Sequence, residues 1–573
     1  MKIGKNRLPE LLSPCGSREQ LEAAIAAGAD AVYFGGTVFN ARMNAKNFDR
    51  DGVRDAVALC HGNGVRAYVT MNTQIYDREL KSALEYAGFL RECGVDALIV
   101  SDPGLISLIR KYYPGMELHA STQMTAHNVE AADRLYGMGM KRVVGARELS
   151  KENIETLVNG SKAEIEIFIH GAICVSCSGQ CLMSAMLGGR SGNRGECAQP
   201  CRMSYNGGYP ISLKDMCLAG HITELIEAGV ASLKIEGRMK SPSYVYGVTK
   251  IYRRLLDERR NATQKEMKEL ADLFSRGGFT DGYYTGKIGS EMLGTRSERD
   301  IEQSRKAAPF RVSVPASQES IPMPVPVTLP DKLDFPPKKP ARKPILTARF
   351  RSAGQIPDSH GFTHVYLPLS KYENTADGVI LPPVIFDGDR DETRRKLDTA
   401  VKKGAKHIML GNIGQLDLAK EFDLIPHGDF RLNVFNSFTA DFWANAAYRE
   451  LESQILSCEL ILPQIRDIYF RGDTLKGAVV YGRTPLMLLE KPVGASQLRD
   501  TRGAIFPVVR DEGRDVIHNS VPLYMADQPD RLDAAGIEER HMIFSTENKG
   551  DVMRVIYAYA HKVIPKENVR RLK

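Results

Sequence analysis

The phrases Ala27-Gly28-Ala29-Asp30-Ala31 and Cys93-Gly94-Val95-Asp96-Ala97 decide the fold class, because both read as the same joint. A helix-period segment ends, glycine stands just past it where a left-handed residue is wanted, and a β-rich run begins. Working outward, strands are expected at 9–14, 31–35, 66–72, 97–102, 117–123, 142–148, 164–172 and 232–238. Segments such as 17–27, 128–138 and 151–158 lie between them, with apolar residues at i, i+3 and i+4. Ser17 and Ser150 stand where helix N-caps belong. Eight strands alternating with helices predict an α/β protein built on a (β/α)8 TIM-like barrel. A doubly wound open sheet is the alternative, but no glycine-rich phosphate loop follows the first strand.

The chain has 573 residues, 43% hydrophobic and 26% charged, which excludes disorder and fibrous architecture for most of it. Its longest apolar runs, such as Ala97-Leu98-Ile99-Val100, are far short of a membrane span. The start, Met-Lys-Ile-Gly-Lys-Asn-Arg, has no apolar leader segment, so a cytoplasmic protein with no membrane partner is expected. The net charge of +7 permits a nucleic-acid partner without requiring one.

Nine prolines between Pro315 and Pro344 break the strand–helix alternation. Proline fixes φ and donates nothing to a ladder, so 301–340 is expected to be a linker, with Lys338, Lys339, Arg342 and Lys343 as a basic run at its end. Beyond it the first half echoes in order. Residues 432–450 can be laid on 118–134, 460–464 on 143–149, 479–482 on 168–171, and 536–545 on 229–238. The expectation is therefore a barrel at 1–300, the linker, and a second, degenerate barrel-like domain at 341–573. Pro485 takes the place of Cys174, so the second copy keeps the scaffold without the cysteine chemistry.

Six of the ten cysteines fall between Cys174 and Cys217. In a reducing compartment so dense a group points to a metal or to catalysis rather than to disulfides. Cys174, Cys177 and Cys181 form one group and Cys197 and Cys201 another, just past the seventh strand, the end of a barrel where reactive residues collect. Fe–S clusters and structural zinc both take four thiolates from two such groups. The C-x3-C second pair and the surplus cysteine count against a zinc ribbon without excluding zinc. Cys15, Cys60, Cys93 and Cys458 read as core residues, and Cys217 as either a spare ligand or a packed side chain.

The run Glu166-x-Phe168-x2-Gly171-Ala172-Ile173-Cys174-x4-Gly179-x-Cys181-x-Met183-Ser184 resembles the signature of peptidase family U-32, the collagenase-like peptidases. His119-Ala-Ser-Thr-Gln123, residues 188–201, Ser212-Leu-Lys-Asp215 and residues 234–242 are similar to the family as well, so the resemblance covers about residues 8–290. The family name implies proteolysis, yet neither H-E-x-x-H nor G-x-S-x-G occurs. Other members act in oxygen-independent hydroxylation of transfer-RNA uridine, ribosomal-RNA cytidine or the ubiquinone ring. The resemblance thus implies an Fe–S-dependent RNA hydroxylase. Its first expected substrate is a cytidine of 23S ribosomal RNA or its precursor, giving 5-hydroxycytidine. A collagenase-like peptidase, or hydroxylation of transfer-RNA uridine or a quinone precursor, is the alternative.

Carried over by motif, the ligands of a 4Fe-4S cluster fall on Cys174, Cys181 and Cys197, with Cys201 fourth through the family's Cys-x3-Cys pair and Cys177 open to a swap. Prephenate is implied as oxygen donor or its source. Polar residues at the expected strand ends complete the reading: His119, Gln123, His170, Lys234 and Glu236 as catalytic candidates, with Thr122, Asn72 and Asp102 as further mouth residues. Arg190 and Arg194, with Arg42 and Arg238, are candidates to hold a dicarboxylate by bidentate pairing.

Overall fold

A computed structural model describes residues 8–43, 45–298, 300–302, 314, 327–337 and 342–573. The glycine joints form as their sequences require: Gly28 and Gly94 adopt φ of 85° and 76°, each just past a helix. Ser17 and Ser150 accept hydrogen bonds from Gln20 N and Asn153 N and start the helices Arg18–Ala26 and Lys151–Gly160. All eight expected strands are present. They are β1 (Glu10–Pro14), β2 (Ala31–Gly35), β3 (Arg66–Met71), β4 (Ala97–Val100), β5 (Leu118–Ala120), β6 (Arg142–Val144), β7 (Glu164–Gly171) and β9 (Ser232–Ile235). They run parallel in order, and β9 pairs with both β7 and β1, which closes a barrel and excludes the open sheet. Two short strands escape the sequence reading because they are too short to show a period: β8 (Asp215–Cys217), antiparallel to the end of β7, and β10 (Phe279–Thr280) beside it.

The barrel is filled in layers. Leu12, Ala31, Tyr33, Tyr68, Ala97 and Ile99 make an apolar layer. Charged residues lie inside the barrel too: Glu166 accepts from Lys234 Nζ at 2.8 Å and from Arg142 Nη1 at 3.3 Å, and Arg142 also reaches Glu10 at 2.6 Å. A buried ion pair of this kind is tolerable only because each charge has a partner.

The second half repeats the plan. β11 (Ile345–Phe350), β12 (His364–Pro368), β13 (Gly378–Ile380), β14 (His407–Leu410), β15 (Ile425–Gly428), β16 (Ser453–Ile455), β17 (Leu475–Gly482) and β23 (Glu539–Phe544) close a second parallel barrel. A small antiparallel sheet of β18 (Pro485–Leu489), β19 (Gln497–Arg499), β20 (Ile505–Asp511) and β21 (Arg514–His518), followed by β22 (Leu523–Tyr524), is inserted before its last strand. The registers of the two barrels run in step. The β7–β9 ladder shifts between Phe168 and His170, and the β17–β23 ladder between Val479 and Tyr481. Gly171 and Gly482 follow at φ of 101° and 114°, where an added Cβ would strike Glu236 O and Ile543 O respectively. Tyr481-Gly482 therefore occupies the place of His170-Gly171.

Two pieces of the expected alignment are corrected. Asn433, not Thr439, matches Thr125: both are left-handed, and three residues on Asn436 and Asn128 cap equivalent helices. Matching alanines in two small-residue helices produced a six-residue slip. Residues 460–464 are not the counterpart of the sixth strand; they lead into the short helix Leu462–Asp467 after β16, which is that counterpart.

The barrels meet through these caps in a pseudo-twofold manner, as the subunits of an isologous dimer would. Asn128 Nδ2 donates to Ile385 O at 2.9 Å, and Asn436 Nδ2 to Ile75 O at 2.8 Å. Val129 N donates to Asp387 Oδ1 at 3.1 Å, and Ser437 N to Asp77 Oδ1 at 2.8 Å. Gly414 and Gly104 give room for the two asparagines, since a Cβ on either would lie 2.5 or 2.4 Å from the amide oxygen.

The expected linker lies mostly outside the described residues, including Lys338 and Lys339. Arg342 pairs with Asp473, and Lys343 is exposed. Among the described residues no helix is long and apolar enough to cross a membrane.

Candidate functional site

Two segments bring the cysteines to the C-terminal mouth of the first barrel. The first leaves β7 through Gly171 and carries Cys174, Cys177 and Cys181; the second carries Cys197 and Cys201. Glycine presses each onto the rim. A Cβ at Gly179 would lie 2.7 Å from Gln123 O, and one at Gly195 would lie 2.2 Å from Asn40 O, both at positive φ. The first segment also adds its backbone to the edge of β18: Cys177 N donates to Leu488 O at 2.7 Å and Leu182 N to Leu486 O at 2.8 Å. The second domain thus holds the cysteine loop in place.

Between the segments and the strand ends lies a cavity of about 230 Å³. Cys174, Cys181, Cys197 and Cys201 line it, together with Asn72, Thr122, Gln123, Arg42, Arg147, Lys234, Glu236 and Arg238. The four thiols feel one another. Burial pushes Cys181 well up, and Cys197, Cys201 and Cys174 push it further. Burial raises Cys201 to about 12, with Arg202 opposing and Cys174 and Cys197 adding. Arg147 Nη1 donates to Cys174 Sγ at 3.5 Å and Gln199 N to Cys197 Sγ at 3.4 Å. Cys177 also lines the cavity, but it is buried and packs with Val384, Leu488 and Val516 in the seam between the barrels. Cys217 is buried beside Tyr252 Oη, 3.6 Å away.

Thiols raised by burial, as Cys181 and Cys201 are, suit a cationic centre that displaces their protons. Four thiolates on one tetrahedral zinc stand only about 3.8 Å apart, given Zn–S bonds of about 2.3 Å. Among the described residues no three of these sulfurs come within 4.8 Å of one another. Four thiols lining one cavity are the donor set an Fe–S cluster takes, each thiolate on its own iron.

Beside the thiols the cavity is cationic, and Arg147 reaches both Cys174 and Glu236. Glu236 Oε2 accepts from Arg42 Nη2 at 3.3 Å and Arg147 Nη2 at 3.4 Å. Burial alone would raise its carboxyl, but Arg42, Arg147, Arg238 and Lys234 outweigh that and hold it below the usual range. Arg238, lowered to about 10 by burial, donates to Thr70 Oγ1 at 3.2 Å and Asn47 Oδ1 at 2.6 Å. Lys234 stands 4.4 Å from the Tyr33 ring centroid with its ammonium on Glu166. Arg147 was missed by the sequence reading although it lies only three residues beyond β6, at the same strand end that singled out Arg238.

Several expected site residues are elsewhere. His119 is fully buried in the barrel interior, with Nε2 2.9 Å from Glu117 and its ring 4.8 Å from that of Tyr68, so it is a packing residue below the mouth. His170 is turned outward by the shift in β7 and lies under the helix Pro242–Asp257, with Nδ1 3.2 Å from Tyr252 Oη; burial lowers it to about 3. Arg190 is exposed and donates to Glu196 O. Arg194 is taken up by a bidentate pair with Glu79, at 2.8 Å on both arms, and by Gln74 O at 2.6 Å. Asp102 caps Leu105 N and accepts from Asn436, serving the seam rather than the mouth.

Residues 16–293 match the sequence profile of peptidase family U32. The chain is 43% identical over 268 residues to the 23S rRNA 5-hydroxycytidine synthase of Escherichia coli, a match spanning 45% of this chain and 40% of that protein. It is 37% identical to an uncharacterized protease of Methanocaldococcus jannaschii, covering 48% of this chain and 72% of that one. It is 35% identical to a tRNA hydroxylation protein of Bacillus subtilis, covering 51% and 75%.

Proposed function

The chain belongs to peptidase family U32, and from that premise we propose that it hydroxylates a base of RNA without molecular oxygen. In this reading Cys174, Cys181, Cys197 and Cys201 hold a 4Fe-4S cluster at the mouth of the first barrel. The observation that carries it is the meeting of four thiols and a cationic floor in one cavity. A cytidine of 23S ribosomal RNA is the substrate put first, following the relative that is 43% identical. An RNA substrate would place the protein in the cytoplasm.

The cluster, when bound, supplies one-electron transfer. The chain's own residues do the rest. Arg42 and Arg147, which share Glu236, and Arg238 deeper in the cavity present guanidinium forks to a carboxylate-bearing oxygen donor such as prephenate. Lys234, fixed by Glu166, adds a positive charge that cannot swing away. Gln123 at the rim offers its amide to the edge of a base, which must leave its stack to reach the cavity.

Nucleoside mass spectrometry of ribosomal and transfer RNA from a deletion strain tests the proposal. Loss of 5-hydroxycytidine, restored by the wild-type gene but not by Cys181→Ala, is expected. Loss of a hydroxylated transfer-RNA uridine instead would move the substrate to the tRNA branch. No change in any nucleoside would overturn RNA hydroxylation and bring the peptidase reading forward.

A further inference from the structure

The second barrel lacks the cluster cysteines, but its interior has gained polar residues. Stepping the strand registers around both barrels places His364 on Ala31, His407 on Ala97 and His427 on His119. Ala31 and Ala97 belong to the apolar layer of the first barrel. At the same places in the second, the His364 and His407 rings lie 4.2 Å apart, and His427 lies 5.1 Å from His407. Asp377, one residue before β13, holds His364 Nδ1 at 2.8 Å and stands 3.9 Å from His407 Nε2. That second distance is too long for a hydrogen bond. It is within the span of about 4.2 Å that two ligands each about 2.1 Å from one ion can bridge. One ligand atom from each of His364, Asp377 and His407 lies within 4.8 Å of the other two, and among the described residues this is the one such group.

A second observation points the same way. Around this group, Tyr366 Oη and His541 Nε2 are buried without a partner. The Tyr366 ring lies 5.6 Å from His427 and 6.2 Å from His541, so these groups share one chamber. Buried polar groups left unpaired in a native fold call for an occupant.

We propose that His364, Asp377 and His407 bind one divalent transition-metal ion of the zinc class at the N-terminal opening of the second barrel. His407 is already oriented for it: its Nδ1 lies 2.9 Å from His427 Nε2, whose Nδ1 lies 2.8 Å from Ser453 Oγ, leaving His407 Nε2 to face Asp377. Such outer partners are the usual support of a metal-bound imidazole. The Asp377 side chain is 37% exposed, which gives the ion a way in. The ligands come from the starts of three consecutive strands, so the ion would fasten the second barrel. This inference is independent of what the cysteines hold.

The test uses the full chain, stripped with a chelator and reloaded with Zn²⁺, against His364→Ala/His407→Ala. Alanine stands at both equivalent places in the first barrel, so the variant uses a packing the fold already accommodates. Zinc content by mass spectrometry should fall by one equivalent per chain, and added zinc should raise Tm more in the wild type than in the variant. Asp377→Asn, which changes almost no volume, should weaken zinc binding at least about tenfold. Equal zinc content in wild type and double variant, or an Asp377→Asn protein that binds zinc as tightly as wild type, would overturn the proposal.

Discussion

Glu166→Gln is the most informative single change in the first barrel. Glu166 is fully buried, 2.8 Å from Lys234 Nζ and 3.3 Å from Arg142 Nη1. Burial alone would raise its carboxyl, but Lys234, Arg142 and His119 bring it from 4.5 down to about 2. A depressed folded-state pKa contributes stability that is fully present above the unfolded value and is lost as pH falls toward the folded one. A shift of about 2.5 units at about 1.4 kcal/mol each gives about 3 kcal/mol at pH 7. At pH 3, where the unfolded carboxyl is protonated and the folded one is still mostly charged, about 1.4 kcal/mol remains. With a urea m-value of about 3 kcal/mol/M, the variant should lose about 1 M of midpoint at pH 7 and about half that at pH 3. Far-UV circular dichroism is the readout, because the single tryptophan, Trp443, sits in the second barrel. An equal loss at both pH values, or a loss under about 0.2 M at pH 7, would show that Glu166 is not held charged by Lys234 and Arg142.

Three further outcomes follow from the geometry. Anaerobically purified protein should carry about four irons per chain, lost in Cys181→Ala but retained in Cys177→Ala, whose sulfur packs in the seam, and in Cys60→Ala; iron analysis decides it. Arg147→Ala should raise KM for an anionic co-substrate about 10- to 100-fold, whereas Arg190→Ala, exposed on its loop, should change it less than about twofold; steady-state kinetics separates the two. Asn436→Ala removes the cap on Thr439 N and leaves Ile75 O unpaired in the seam, which should cost about 2–4 kcal/mol; the urea midpoint followed by Trp443 fluorescence measures it.

The features legible in the residues alone are local ones. Glycine past a helix, serine before one, and alternating periods each have a cause within a few residues, and they fixed eight strands and hence the closed barrel. The clustering of Cys174, Cys181, Cys197 and Cys201 in one stretch likewise survived folding, since both segments are pinned by glycines in that stretch. Which polar side chains reach the mouth depends on the folded barrels. His170 faces outward because one extra residue in β7 reverses the alternation, and no pattern in the sequence announces a bulge. Arg194 is spent on Glu79, 115 residues away, and Asp102 on Asn436, 334 residues away. The histidine chamber of the second barrel is assembled from the starts of separate strands, each carrying one unremarkable histidine. Local rules set period and caps; the choice of partner depends on residues that only the closed barrels and their pseudo-twofold seam bring together.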